Sequence, residues 1–171
     1  MITFNHCPSC GAPARPHIEK YFECTRCGYT YFFNAAAAVG VIVSRGDEIL
    51  LLKRNRDPQK GLYALPGGFV DARESLLGAA RRELYEEVGM DIPESDFRFV
   101  SSGFNTYLYK GVPYCTCDAF FSAQVCSFPE YYEAEEVAGL ALIRISELDY
   151  DTIAFDSIKA ALRTFGGGEA K

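Results

Sequence analysis

The chain has no tryptophan, two histidines and no apolar run close to the roughly 20 residues that span a bilayer. The last absence excludes a membrane-spanning helix. Residues 1–12 show no basic stretch followed by an apolar one, so a secretory leader is not expected and a cytoplasmic protein is. Positive charge is in deficit: 17 Lys and Arg stand against 23 Asp and Glu, a net charge of -6. That balance argues against a broad nucleic-acid surface. With neither a helix-turn-helix pattern nor a basic arm, no DNA partner is expected. Internal repeats and long low-complexity tracts are also missing.

What is present suits one ordinary domain with a small appendage: 171 residues, 49% of them apolar, enough for a sizeable core. Four of the seven cysteines form two C-x2-C-G knuckles, Cys7-Pro-Ser-Cys10-Gly and Cys24-Thr-Arg-Cys27-Gly, with thirteen residues between them. In each, a glycine able to take positive φ lets the turn aim backbone N–H groups at thiolate sulfur. Four such thiolates make a closed tetrahedral site for structural Zn²⁺, with iron the alternative, while C-x2-C pairs in a cytosolic chain make disulfides improbable. His6 and His17 are bystanders, since four sulfurs complete the shell. Residues 1–33 are therefore expected to be a zinc ribbon, too small for a core of its own and folded largely by its metal. Its bases are few, Arg15, Lys20 and Arg26. Its rings, Tyr21, Phe22, Tyr29, Tyr31, Phe32 and Phe33, are expected to pack on the main domain or on a partner chain, a homodimer being one option. Cys115, Cys117 and Cys126 read as buried free thiols.

Residues 68–90 read GFVDARESLLGAARRELYEEVGM and set Glu83, Glu86 and Glu87 at i, i+3 and i+4. With about 100° per residue and Leu76 at zero, Leu76, Ala80, Leu84 and Val88 sweep from 0° to about 120°, a stripe fit for burial. The three glutamates fall at about 340°, 280° and 20°, bordering the stripe. Clustered carboxylates beside an apolar seam repel one another and lose hydration. A divalent cation resolves that conflict, and all-oxygen ligands favour Mg²⁺ or Mn²⁺. The plainer reading is a solvated charged helix tied by i,i+4 pairs to Arg81 and Arg82.

The flanking pattern resembles the Nudix hydrolase box, G-x5-E-x7-R-E-U-x-E-E-x-G-U, with U a bulky aliphatic residue. Gly68, Glu74, Arg82, Glu83, Leu84, Glu86, Glu87, Gly89 and Met90 fill every specified position. The resemblance implies a loop–helix–loop that binds divalent metal and hydrolyses nucleoside diphosphates linked to another group. It also implies an α/β fold: an α/β/α sandwich with a mixed sheet over residues 34–171, preceded by the ribbon. By the same resemblance Glu83, Glu86 and Glu87 are metal ligands, one of them sometimes a base. Gly68, or its neighbour Gly67, offers a backbone carbonyl, and Arg82 and Glu74 orient the carboxylates. A ribbon followed by the box is similar to the NADH pyrophosphatase branch. That branch carries an SQPWPFP-type array after the box, whereas residues 101–106 here read Ser-Ser-Gly-Phe-Asn-Thr. The reaction class is thus implied more firmly than the substrate.

The expected chemistry is water attack at phosphorus on NAD(H), ADP-ribose or a similar nucleotide-type substrate. Arg54 and Arg56 are candidates for phosphate contact, or exposed strand-end charges. Tyr63, Phe69, Tyr107 and Tyr114 are candidates to stack on a base, or core residues. Glu133, Glu135 and Glu136 read as a solvated loop, with a base from that loop the alternative. A second function class stays open: a nucleotide-sensing or RNA-associated module, RNA decapping included, whose ribbon binds a partner. Around the box the pattern predicts a strand over 35–43, a turn at 44–47 and a strand over 48–53. It further predicts a helix over 75–88 closed by Gly89, strands over 97–109 and 112–125 about a Lys110-Gly111 turn, a short strand over 140–145 and a last helix over 156–165. Gly166, Gly167 and Gly168 stop that helix, and the tail to Lys171 is expected to be loose.

Overall fold

The computed structural model describes residues 4–14 and 20–167. Arg15 and His17 of the ribbon, Gly168 and the tail after it lie outside the described residues. The chain divides into two compact units, Met1–Ala35 and Ala36–Lys171.

In the first unit, β1 (Tyr21–Glu23) pairs antiparallel with β2 (Thr30–Phe32) on either side of the second knuckle. Gly11 and Gly28 both take positive φ, 69° and 73°, and each donates its N–H to the carbonyl of the knuckle's first cysteine. Cys7, Ala12, Phe22 and Cys24 are buried, with Phe4, Tyr29 and Phe33 packed against them. Phe4 meets Phe22 and Tyr31 edge-on, with ring centroids 5.3 Å away in each case. The ribbon therefore has a small core, contrary to the expectation above. Phe4, Tyr29 and Phe33 pack against Cys7 and Cys24, while Cys27 stays exposed.

The second unit is built on β3 (Ala36–Arg45), β4 (Glu48–Arg54), β5 (Tyr63–Ala64), β6 (Arg98–Tyr109), β7 (Val112–Gln124) and β8 (Val137–Arg144). The sheet order is β5-β4-β3-β7-β6, and β8 pairs with β4. Only β3 and β7 run parallel, from Ala36 opposite Thr116 to Ser44 opposite Gln124; the other pairings are antiparallel, so the sheet is mixed. Both faces of its centre are covered, which is why β3 and β4 read as continuous apolar runs rather than alternating ones. Val41, Val43, Leu50 and Leu52 face helix α1 (Leu76–Val88), while Ile42, Ile49 and Leu51 face helix α2 (Asp156–Gly166). That is the expected α/β/α sandwich. No helix among the described residues is long and apolar enough to cross a membrane.

The α1 helix starts where Ser75 Oγ accepts the Gly78 N–H at 2.9 Å. It ends where Gly89, left-handed at φ 68°, donates to the Tyr85 carbonyl and Met90 to that of Leu84. Its buried residues are Ala79, Ala80, Leu84 and Val88, with Leu77 packed beside them. Leu76, assigned to the stripe from sequence, is 42% exposed. The buried face is centred nearer Leu84, which leaves Leu76 on the rim of the first turn. Cys115, Cys117 and Cys126 are exposed rather than buried. The first two alternate along β7 with Thr116 and Asp118, which face inward, so they stand on the sheet's uncovered side.

Candidate functional site

The sharp entry into the helix brings the box together. Gly67 has φ 145°, and any side chain there would drive into the Val39 carbonyl, so the Pro66–Gly68 turn lies flat on β3. The Val39 N–H in turn donates to the Gly68 carbonyl at 2.9 Å. A Cβ at Gly68 would sit 2.5 Å from Glu83 Oε1, so that glycine is what lets the glutamate lie against the turn. Gly67 N–H donates to Glu87 Oε2 at 2.8 Å.

Arg82 is the hub of the acids. Its Nε and Nη2 grip Glu74 as a fork, at 3.0 and 2.9 Å, and Nη2 also donates to the Phe69 carbonyl at 3.0 Å. One nitrogen, Nη1, is shared by Glu83 at 2.9 Å and Glu86 at 3.0 Å. The last contact is the i,i+4 pair that a solvated helix would show, but the remainder of the net is not. Arg81 turns away and pairs with Asp91. The Arg82 fork and the Asp71 N–H hold Glu74 below its ordinary range. Burial raises Glu83 despite Arg82. Burial also pushes Glu87 up to about 8, although the Gly67 N–H favours its charged form; Glu83 adds to the rise and Arg54 and Arg56 oppose it.

Arg82, Glu83, Glu86 and Glu87 line a cavity of about 420 Å³ at one end of the sheet, where β3 starts and β4 and β6 end. Arg54 and Arg56 both line it. Arg54 is braced by the Pro58 carbonyl at 2.9 Å and lies over the Phe155 ring, while Arg56 pairs with Glu136. Phe69 and Tyr107 line it too, their centroids 5.5 Å apart. Tyr63 is not among the lining residues: partly buried, it packs against the core under α2, and its carbonyl takes the Ala154 N–H. In β5, pairing with Lys53 fixes its backbone and turns its ring toward the core.

Asp118, Phe155 and Ser157 are among the cavity residues that the sequence reading did not single out. A lone residue inside a strand or at a helix start has no spacing signature. Glu136, taken as part of a solvated loop, belongs here as well. Its loop is tied down by the Glu133 N–H on the Glu87 carbonyl and by Asn55 on the Ala134 and Glu136 carbonyls.

Far clearer as a ligand cage are the cysteines. The four sulfurs of Cys7, Cys10, Cys24 and Cys27 lie within 4.8 Å of one another, and among the described residues no other set of three or more His, Cys, Asp or Glu groups converges so closely. N–H groups of Cys27 and Arg26 lower the Cys24 thiol to about 6. At Cys10 the Ala12 N–H favours the thiolate, but the crowding sulfurs, Cys27 first, hold the thiol up at about 11.

Comparison with known proteins agrees with this geometry. The NUDIX domain model matches residues 34–159, so the chain belongs to the Nudix family. NAD-capped RNA hydrolase NudC of Haemophilus influenzae strain PittGG is 31% identical over 140 residues, 80% of this chain and 47% of that protein. ADP-ribose pyrophosphatase of Methanocaldococcus jannaschii is 44% identical over 62 residues, 36% of this chain and 37% of that protein. The chain thus spans about half the length, or less, of these curated relatives. A crystal structure of a NUDIX hydrolase from Nitrosomonas europaea shares the fold, with TM-score 0.70 at 22% identity over 95% of this chain and 93% of that one.

Proposed function

We propose that this protein is a Mg²⁺- or Mn²⁺-dependent pyrophosphohydrolase acting on a nucleoside diphosphate joined to a second group, NAD(H) and ADP-ribose among them. One observation carries the reading: three box glutamates and two arginines face one cavity, with Arg82 as a hub between the acids. The names of the relatives, one acting on NAD-capped RNA and one on ADP-ribose, point to the same substrate class.

The donor set suits a hard cation, since every side-chain ligand it offers is a carboxylate oxygen. Glu83 and Glu87 are raised by burial, a penalty that a dication between them removes. Glu83 and Glu86 reach such an ion by turning away from the nitrogen they share, while Arg82 stays fixed by Glu74 and the Phe69 carbonyl. The Gly68 carbonyl, already accepting from Val39, has a second lone pair to give. A bound metal supplies neutralisation of the diphosphate oxygens and a more acidic water. Arg54 and Arg56 add positive charge on the wall across from the acids. Water oxygen forms the new bond to phosphorus, the bridging P–O bond breaks with its electron pair on the departing phosphate, and an adjacent box carboxylate takes the water's proton. In the ribbon, the four cysteines hold structural Zn²⁺.

The test is a product screen with and without Mg²⁺ across NAD(H), ADP-ribose, capped RNA, nucleotide sugars and nucleoside triphosphates. Metal-dependent release of a nucleoside monophosphate is expected from at least one dinucleotide-type substrate. Glu87→Gln should lose almost all turnover without unfolding the protein. Wild-type rates in that variant would overturn the assignment.

A further inference from the structure

Two polar groups on the cavity wall take no part in the chemistry above. Asp118 on β7 is only 8% exposed, yet among the described residues nothing bonds to its carboxylate. Ser157, the second residue of α2, is 6% exposed, and its Oγ is a buried side-chain atom without a partner. The Ser157 hydroxyl is a buried donor and acceptor left without a partner, which interiors rarely tolerate, while the Asp118 oxygens stay accessible from the cavity.

The register shows that they look into one space. Asp118 stands opposite Gly103 of β6 and Ala38 of β3, small residues that leave its side chain uncrowded. Cross-strand partners share a face of the sheet, and a Cβ at Gly103 would lie 3.4 Å from the Ser157 Cβ. Asp118 therefore points to the side on which α2 begins. No side chain caps that helix start at Phe155. Flat walls stand beside this polar floor: Tyr107 and Phe155 are 5.9 Å apart, and Arg54 covers the Phe155 ring at 5.0 Å.

A carboxylate repels phosphate, so this is not a second anion site. Two carboxylate oxygens suit a pair of adjacent donors, and the aromatic walls suit a planar ring. We propose that Asp118 and Ser157 form a nucleoside-reading subsite that accepts paired N–H or O–H donors, either from the edge of a base or from the vicinal hydroxyls of a ribose. The inference rests on the nucleotide-hydrolase reading and deepens it.

Nucleoside monophosphates test it in Mg²⁺ buffer, because they lack the diphosphate bond and only binding is read. GMP is compared with IMP, which lacks the 2-amino donor, and AMP with 2′,3′-dideoxy-AMP. The wild type is expected to favour the donor-paired member of at least one comparison by about tenfold, in line with one good bidentate pair. Asp118→Asn, nearly isosteric, abolishes that preference, and Ser157→Ala lowers the favoured ligand's affinity about threefold. Loss of the GMP preference assigns a base edge, and loss of the AMP preference assigns the ribose; either supports the subsite. A wild type that binds none of the four, or shows no preference, overturns it. So does a preference that survives in Asp118→Asn. Should that variant fail to melt like the wild type, Ser157→Ala decides, and unchanged affinity there overturns the proposal. Intact preferences in a protein that hydrolyses nothing would instead sink the enzyme assignment and leave the subsite standing.

Discussion

Glu87 links protonation, stability and metal. In the metal-free fold it keeps its proton up to about pH 8, while an unfolded chain releases it near 4.5. A raised pKa contributes its full stability below the unfolded value and loses it as pH rises through the folded one. The shift at Glu83 has the same sign, and that at Glu74 the opposite, so Glu74 contributes above its unfolded pKa and loses this only in acid. The metal-free melting temperature should therefore fall between pH 5 and pH 8, and Glu87→Gln should flatten the slope. Mg²⁺ binding at pH 7 should release about one proton from Glu87, visible as a dependence of the binding enthalpy on the buffer's ionisation heat. The same enthalpy in buffers of different ionisation heat would contradict this. Arg82→Lys replaces a fork serving four acceptors with a point charge. It should weaken the apparent Mg²⁺ affinity by about 10- to 100-fold, as loss of a ligand-orienting residue does, with little change in KM at saturating metal. At this scale the sequence was most readable around the box, because its residues lie within a few helical turns. Asp118 and Ser157 gave no signal, since the segments that surround them are distant in the chain.

The helix α1 shows how far elements can be read. Its cap, its stop and its length follow from local chemistry, and Ser75→Ala should cost about 1 kcal/mol in urea unfolding. Its buried face does not. Leu76 and Leu84 look equivalent on a helical wheel, yet one is 42% exposed and the other fully buried. Leu84→Ala should cost about 2–5 kcal/mol and reduce turnover by loosening the turn beneath Glu83 and Glu87. Leu76→Ala should stay within about 0.5 kcal/mol. Equal losses would mean that the helix is rolled differently on the sheet. The strands were legible where both faces are buried, as in β3 and β4. The two-residue β5 was not, being too short for any periodicity to register.

At the scale of the whole molecule, under the proposed reading the first unit depends on metal beside its small aromatic cluster, and the second on its apolar core. A chelator strong enough for a thiolate site should release one Zn²⁺ per chain and remove amide protection from β1 and β2. Cys24→Ser should do the same, and retained protection with no metal bound would show that the small aromatic core suffices.

The mixed sandwich was implied by the resemblance to the Nudix family; by itself the sequence determined the features coded by spacing: the paired knuckles, the box with its carboxylates on one helical side, the cap and stop of α1, and the order of strands and helices. These are short-range because backbone geometry ties residue spacing to direction. Only the tertiary structure decided that β3 and β7 run parallel, that Glu136 lines the cavity, that Cys115 and Cys117 face outward, and that Asp118 and Ser157 share one wall of that cavity. Those outcomes arise from packing between distant segments, where burial and pairing partners, not spacing, set the environment of each side chain.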